Sequence, residues 1–131
     1  MSAIDHEQFI CELYQRFPAV RDEIDPEIEG GLLHLEVSAF TRLTLQAIEA
    51  TNRDAVTRCF QFAERLLVHG DNAVKNAVYV SYLENLEFAE ESQLWAADLM
   101  PRALLRAWFE IQEYMDKISG TNIALRLKDR R

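Results

Sequence analysis

Val56, Cys59, Phe60, Ala63, Leu66 and Leu67 fall on one side of a helical wheel, with Arg58, Gln61 and Arg65 on the other. This is the cleanest instance of a pattern that runs through nearly the whole chain. Apolar residues recur at about 3.6 positions rather than 2. The chain is therefore expected to be all-α. With 131 residues, 49% of them hydrophobic, it can bury the core of one ordinary domain without disulfides or metals.

Breaks at Gly and Pro divide the pattern into six or seven helices. A first helix fits about Ile4 to Arg16, with Phe9, Ile10 and Leu13 inward, Phe17 closing the stripe, and Ser2 or Asp5 as cap. Pro18 suits the first turn of a short helix to about Glu23, and Pro26 begins a new segment before Gly30-Gly31. A helix over about Leu32 to Ala50 carries two stripes, Leu33, Val37, Phe40, Thr44 and Ala47, then Leu32, Leu35, Ala39 and Leu43. Two stripes imply packing on two sides and a central position. The helix from about Arg53 to His69 has Asn52 as cap, and Gly70 is expected to end it in the left-handed conformation. Asp71 caps a helix from about Asn72 to Leu86, apolar almost all round; its valines permit a strand, but period-2 alternation is missing. A shorter helix around Ser92 to Leu99 follows. Pro101 opens a last one to about Ser119, with Leu104, Trp108, Ile111, Met115 and Ile118 inward. Short loops favour antiparallel neighbours, in a helical bundle or a short solenoid-like stack. Residues 1–120 are expected to form a single helical domain and residues 121–131 a basic C-terminal tail.

Charge is sorted along this framework. Asp22 to Thr41 and Asn76 to Pro101 contain no Lys or Arg and are rich in carboxylates. Residues 117–131 carry five basic groups against Asp129, which leaves nine basic and 21 acidic groups in residues 1–116, a charge of −12. Such a body repels phosphate backbones and attracts a basic protein, so a protein partner is expected and nucleic acid is not. Cys11 and Cys59, inside apolar patterns, read as reduced core thiols of a cytoplasmic protein. No apolar run is long enough for a membrane span, and the first residues lack the features of a signal peptide.

No catalytic, metal or cofactor motif is present. His6, His34 and His69 lack ligand-like partners at helical spacing and read as structural. A buried Cys59 would be inert. The carboxylates are the candidates. In the second stretch Glu84, Glu87, Glu90 and Glu91 interleave with Leu86, Phe88 and Trp95, the mixture of apolar anchors and one-signed charge that protein interfaces use. In the first, Asp22, Glu23, Asp25, Glu27 and Glu29 form a second cluster, part of which helix-start preference explains.

Several segments also resemble a family. HLEVSAFTRLTLQAI (His34 to Ile48), FQFAERLL (Phe60 to Leu67) and GDNAVKNAVYVSYLENLEF (Gly70 to Phe88) are similar to a family of small bacterial proteins of unassigned function. The likeness extends to Phe17-Pro18, the stretch Asn76 to Glu84 and Leu99-Met100-Pro101, and covers most of residues 10–112. That family looks like the helical immunity partners of polymorphic and contact-dependent toxins, which bind a toxin domain, often a basic nuclease, and block it. The resemblance implies a cytoplasmic immunity protein and supplies no catalytic residues. Two other readings stand beside it: a helical adaptor holding a peptide in an inter-helix groove, and, more weakly, a small enzyme with a carboxylate site.

Overall fold

A computed structural model describes residues 3–24, 31–86, 88 and 91–119. Asp5 caps α1 (His6–Arg16) by accepting the Gln8 N–H at 2.8 Å. Pro18 starts α2 (Pro18–Glu23). The two long helices follow, α3 (Leu33–Glu49) and α4 (Arg53–His69), the second capped by Asn52 on the Ala55 N–H at 3.2 Å. Asp71 caps α5 (Asn72–Ala77) on the Val74 N–H at 2.9 Å. The chain continues as a π turn (Val78–Tyr82) and a 3-10 turn (Leu83–Asn85), then a 3-10 segment (Glu91–Leu99), and ends in α6 (Arg102–Ser119). Every named element among the described residues is helical; one isolated parallel bridge joins Ile4 to Gly70.

Burial, not propensity, sets the arrangement. Phe9, Phe17, Phe40, Phe62 and Tyr82 bring rings from α1, the junction of α1 and α2, α3, α4 and the π turn together, with centroids 4.9 to 6.3 Å apart. Such pairs add to the burial of their apolar area. The central position expected for α3 holds: it packs against α1, α2, α4, α5, the π turn and the 3-10 segment. An element that touches nearly all others belongs to a closed bundle, since solenoid units contact only their neighbours. Phe62, fully buried at the centre of the aromatic cluster, lies outside the stripe read for α4.

Several expectations are corrected. Leu32 and Leu35 are exposed, because the second stripe of α3 meets a neighbour only from Ala39 onward. Cys11 is exposed, not a core thiol; Cys59 is buried. The helix expected over Asn72 to Leu86 leaves α geometry at Val78, and the segment at Ser92 to Leu99 is 3-10 rather than α. Gly70 is extended (φ −67°, ψ 155°), because the chain turns directly into the bridge, with the Ile4 N–H on His69 O and the Asp71 N–H on Ile4 O, both 2.8 Å. Glycine is needed there for space: a Cβ would sit 2.4 Å from Leu66 O and 2.8 Å from Val74 Cγ1.

The left-handed conformation is found instead at Thr51 (φ 54°), between α3 and α4, and at Gly31 (φ 83°) before α3. The Thr51 N–H reaches Ile48 O at 3.0 Å and the Asn52 N–H reaches Ala47 O at 2.9 Å, the Schellman arrangement. A β-branched residue there is strained. Thr51→Gly is expected to raise stability by about 1 kcal/mol in urea denaturation; an unchanged or lower midpoint contradicts the assignment.

Candidate functional site

The second Lys- and Arg-free stretch, Asn76 to Pro101, contains all the irregular helix of the described residues. The cause is a set of side-chain bonds from α3. Thr41 Oγ1 donates to Ser81 O at 2.7 Å, and Ser81 Oγ lies 2.8 Å from His34 Nδ1. Tyr82 Oη meets Thr44 Oγ1 at 3.0 Å, and its ring stacks on Phe40 at 4.9 Å. Asn85 Nδ2 donates to Val80 O at 3.4 Å. Side-chain donors thus meet carbonyls at the end of the helix, and the backbone widens into a π turn instead of continuing.

Beyond the π turn the chain is fastened from the other side. Trp108, fully buried on α6, donates its indole N–H to Leu86 O at 2.9 Å. Phe88 packs edge-on against the same indole at 5.2 Å. Leu94, Ala96 and Ala97 point inward. The N-terminus of α6 is held by Glu64 of α4, whose carboxylate accepts the N–H groups of Ala103 (3.1 Å) and Leu104 (3.3 Å).

This corrects the expected interface in one respect. Phe88 is a core residue, 5% exposed, so it is no anchor for a partner. Trp95 is half-buried, and the Arg53 guanidinium lies over its ring at 4.6 Å. The aromatics of this stretch therefore face the core and Arg53, and do not stand free on the surface. Of the acids, Glu84 is half-buried and Glu91 opens the 3-10 segment. Glu87 and Glu90 lie outside the described residues.

The first stretch splits differently. Asp22 and Glu23 are exposed in the last turn of α2, where the helix dipole opposes a carboxylate, so helix-start preference does not account for them. Asp25, Glu27 and Glu29 lie outside the described residues. Glu36 is 3% exposed and internal: it accepts the Gly31 N–H at 3.1 Å and meets Nε2 of His6. The link between His6 and Glu36 spans 30 residues and left no sequence signal.

The cations of the body are largely used inside it. Arg65 makes a two-pronged contact with Glu12, Nε at 2.7 Å and Nη2 at 3.0 Å. Arg16 lies 3.8 Å from Glu12 and over the Phe62 ring, Arg21 lies over Tyr14, and Arg58 is 3.4 Å from Asp54. By contrast Asp22, Glu23, Glu49 and Glu84 have no ion-pair partner among the described residues.

The Arg65 contact holds the Glu12 carboxyl below its usual range, against the opposing effect of partial burial. A carboxyl depressed in the folded state contributes stability above its unfolded value and loses it as pH falls through the folded value. Glu12→Gln should cost about 1 kcal/mol near neutral pH, and in thermal melts the gap should begin to narrow at the usual carboxylate value and close as pH falls through the lower folded-state value. A gap that persists in acid contradicts this.

Chemically reactive groups are few. Burial pushes the Cys59 thiol up to about 11, which keeps it protonated. Ser81 beside His34 has the residue types of a nucleophile and base, but Ser81 is 7% exposed and no carboxylate pairs with His34 among the described residues. No cluster of three His, Cys, Asp or Glu suited to a metal occurs among the described residues. Nor is any helix among them long and apolar enough to cross a membrane. An open groove of about 700 Å³ runs along α6, where Leu105 and Phe109 lie among Asp98, Arg102, Arg106 and Glu110.

The described residues form an all-α domain built around a central α3. The chain belongs to the DUF7674 family, described as a domain of unknown function, whose model matches residues 10–115. No curated protein and no solved structure matches it.

Proposed function

We propose that this domain is an immunity protein that binds and neutralises a basic toxin domain of the nuclease type through its acidic surface. The observation that carries the reading is the imbalance of partners. Arg16, Arg21, Arg53, Arg58 and Arg65 are engaged within the body. Asp22, Glu23 and Glu84 are left without described counter-charges, at no gain to the fold. Carboxylates on a surface braced from beneath can stand in for a nucleic-acid backbone, steer the encounter and cover the toxin's active site. The likeness of His34 to Phe88 to immunity-associated families adds to this reading. The protein acts in the cytoplasm, where its target would do harm, and without catalysis of its own.

The test is to read the neighbouring genes and, where one encodes a large secreted protein with a basic C-terminal domain, to co-express that domain with this protein. Restored growth and a stable complex are expected. A toxic domain that is neither bound nor blocked, or a neighbourhood of metabolic genes alone, contradicts the proposal.

The groove along α6 favours a second reading, an adaptor that seats a peptide on Leu105 and Phe109. Leu105→Glu separates the two. It abolishes binding if the groove is the site, and leaves an acidic-face complex intact.

A further inference from the structure

The cleft beside the bridge of Ile4 and Gly70 is lined by cationic rather than acidic side chains, with Glu12 behind Arg65 and Gln8. It encloses about 480 Å³, and its lining includes Gln8, Arg65, His69 and Lys75 but no carboxylate. In a body with 21 acidic and nine basic groups, a cleft whose charged lining is wholly cationic does not follow from composition.

Three elements hold these side chains in place. Arg65 and His69 lie four residues apart in the last turns of α4, Lys75 is on α5, and Gln8 is on α1. The hydrogen bonds of Ile4 with His69 and Asp71 tie the segment before α1 to the turn between α4 and α5. Glu12 fixes the Arg65 guanidinium through Nε and Nη2, which leaves three of its five N–H donors. Lys75 is half-buried and has no ion-pair partner among the described residues. Asp71, one turn before it, serves instead as the cap of α5. The Lys75 stem packs against the cleft while its ammonium is left without an ion-pair partner among the described residues.

We propose that this cleft binds one oxyanion of the phosphate class, with Lys75 and Arg65 as its charged donors and Gln8 and His69 as polar neighbours. Lys75 supplies the uncompensated charge, and Arg65, already paired with Glu12, supplies its remaining N–H donors from a separate helix, a set that suits the several acceptor oxygens of a tetrahedral oxyanion. The volume has room for a small phosphate ester as well as the bare ion. The site is independent of the acidic surface and of the function proposed above.

The test is an amide-resolved NMR titration of the whole chain with inorganic phosphate and, separately, a sugar phosphate. Sodium chloride and acetate at matched ionic strength are the comparators. Saturable shifts are expected at Ile4, Gln8, His69, Gly70 and Lys75 with the phosphates, and not with the comparators. Lys75→Ala should weaken phosphate binding about tenfold, and Lys75→Arg should retain it. If Lys75→Ala disturbs amides far from the cleft, Lys75→Gln is read in its place. Equal shifts with chloride or acetate, shifts scattered over the surface, or full affinity in both neutral variants would overturn the proposal.

Discussion

Trp108→Ala is expected to lower the unfolding free energy by about 4 kcal/mol, the largest effect of any single truncation proposed for this chain. Trp108 is fully buried, and its indole N–H is bound to Leu86 O. Its ring supports Phe88 at 5.2 Å and Phe109 at 5.5 Å. Truncation leaves a cavity and an unpaired buried carbonyl together. A domain of this size is typically stable by only about 5–15 kcal/mol, so the loss would be a large fraction of the whole. Trp108→Phe divides the effect. It keeps most of the apolar contact but abandons Leu86 O, and should cost about 1–3 kcal/mol. Hydrogen exchange at residues 86–88 should rise in both variants. Urea denaturation that places Trp108→Ala within about 1 kcal/mol of the parent would show that α6 does not fasten the acidic stretch.

The second large effect concerns recognition. Reversing Asp22, Glu23 and Glu84 together to Lys is expected to weaken binding of the basic partner about a hundredfold at low salt. Most of the loss should fall on the association rate, because exposed charges steer the encounter more than they hold the complex. Stability should change by no more than about 0.5 kcal/mol for each exposed site, since Asp22 and Glu23 have no described partners to lose. Reversing Asp22 with Glu23, and Glu84 alone, shows which stretch meets the partner. Glu7→Lys, on the exposed side of α1, is the control for net charge alone. If the control weakens binding as much, per charge reversed, as these variants do, the effect is general repulsion and neither stretch is a recognition face.

What could be read from the sequence followed local physics. Asp5, Asn52 and Asp71 cap helices because a short polar side chain before an apolar period has a fixed job within three residues. The stripe from Val56 to Leu67 is buried because helical spacing puts it on one face. What could not be read depends on partners far along the chain. The π turn at Val78–Tyr82 arises from bonds of His34, Thr41 and Thr44 to residues 38 to 47 positions away. Nothing local to Val78 announces it. Phe88 and Trp95 looked like interface anchors because burial against Trp108 and cover by Arg53 are tertiary facts. Glu36 looked like surface charge until His6 and Gly31 met it. The family could be read because a long stretch of unusual sequence, Gly70 to Phe88, lies within the matched residues 10–115.

The central claim is that unpaired carboxylates on this body recognise a basic protein. Its most direct test is the affinity for a cognate basic toxin domain measured from about 0.05 M to about 0.5 M salt, over which screening shortens from beyond 10 Å to a few ångströms. A steady fall in affinity is expected, with the association rate falling faster than the dissociation rate rises. An affinity indifferent to salt across that range would contradict it.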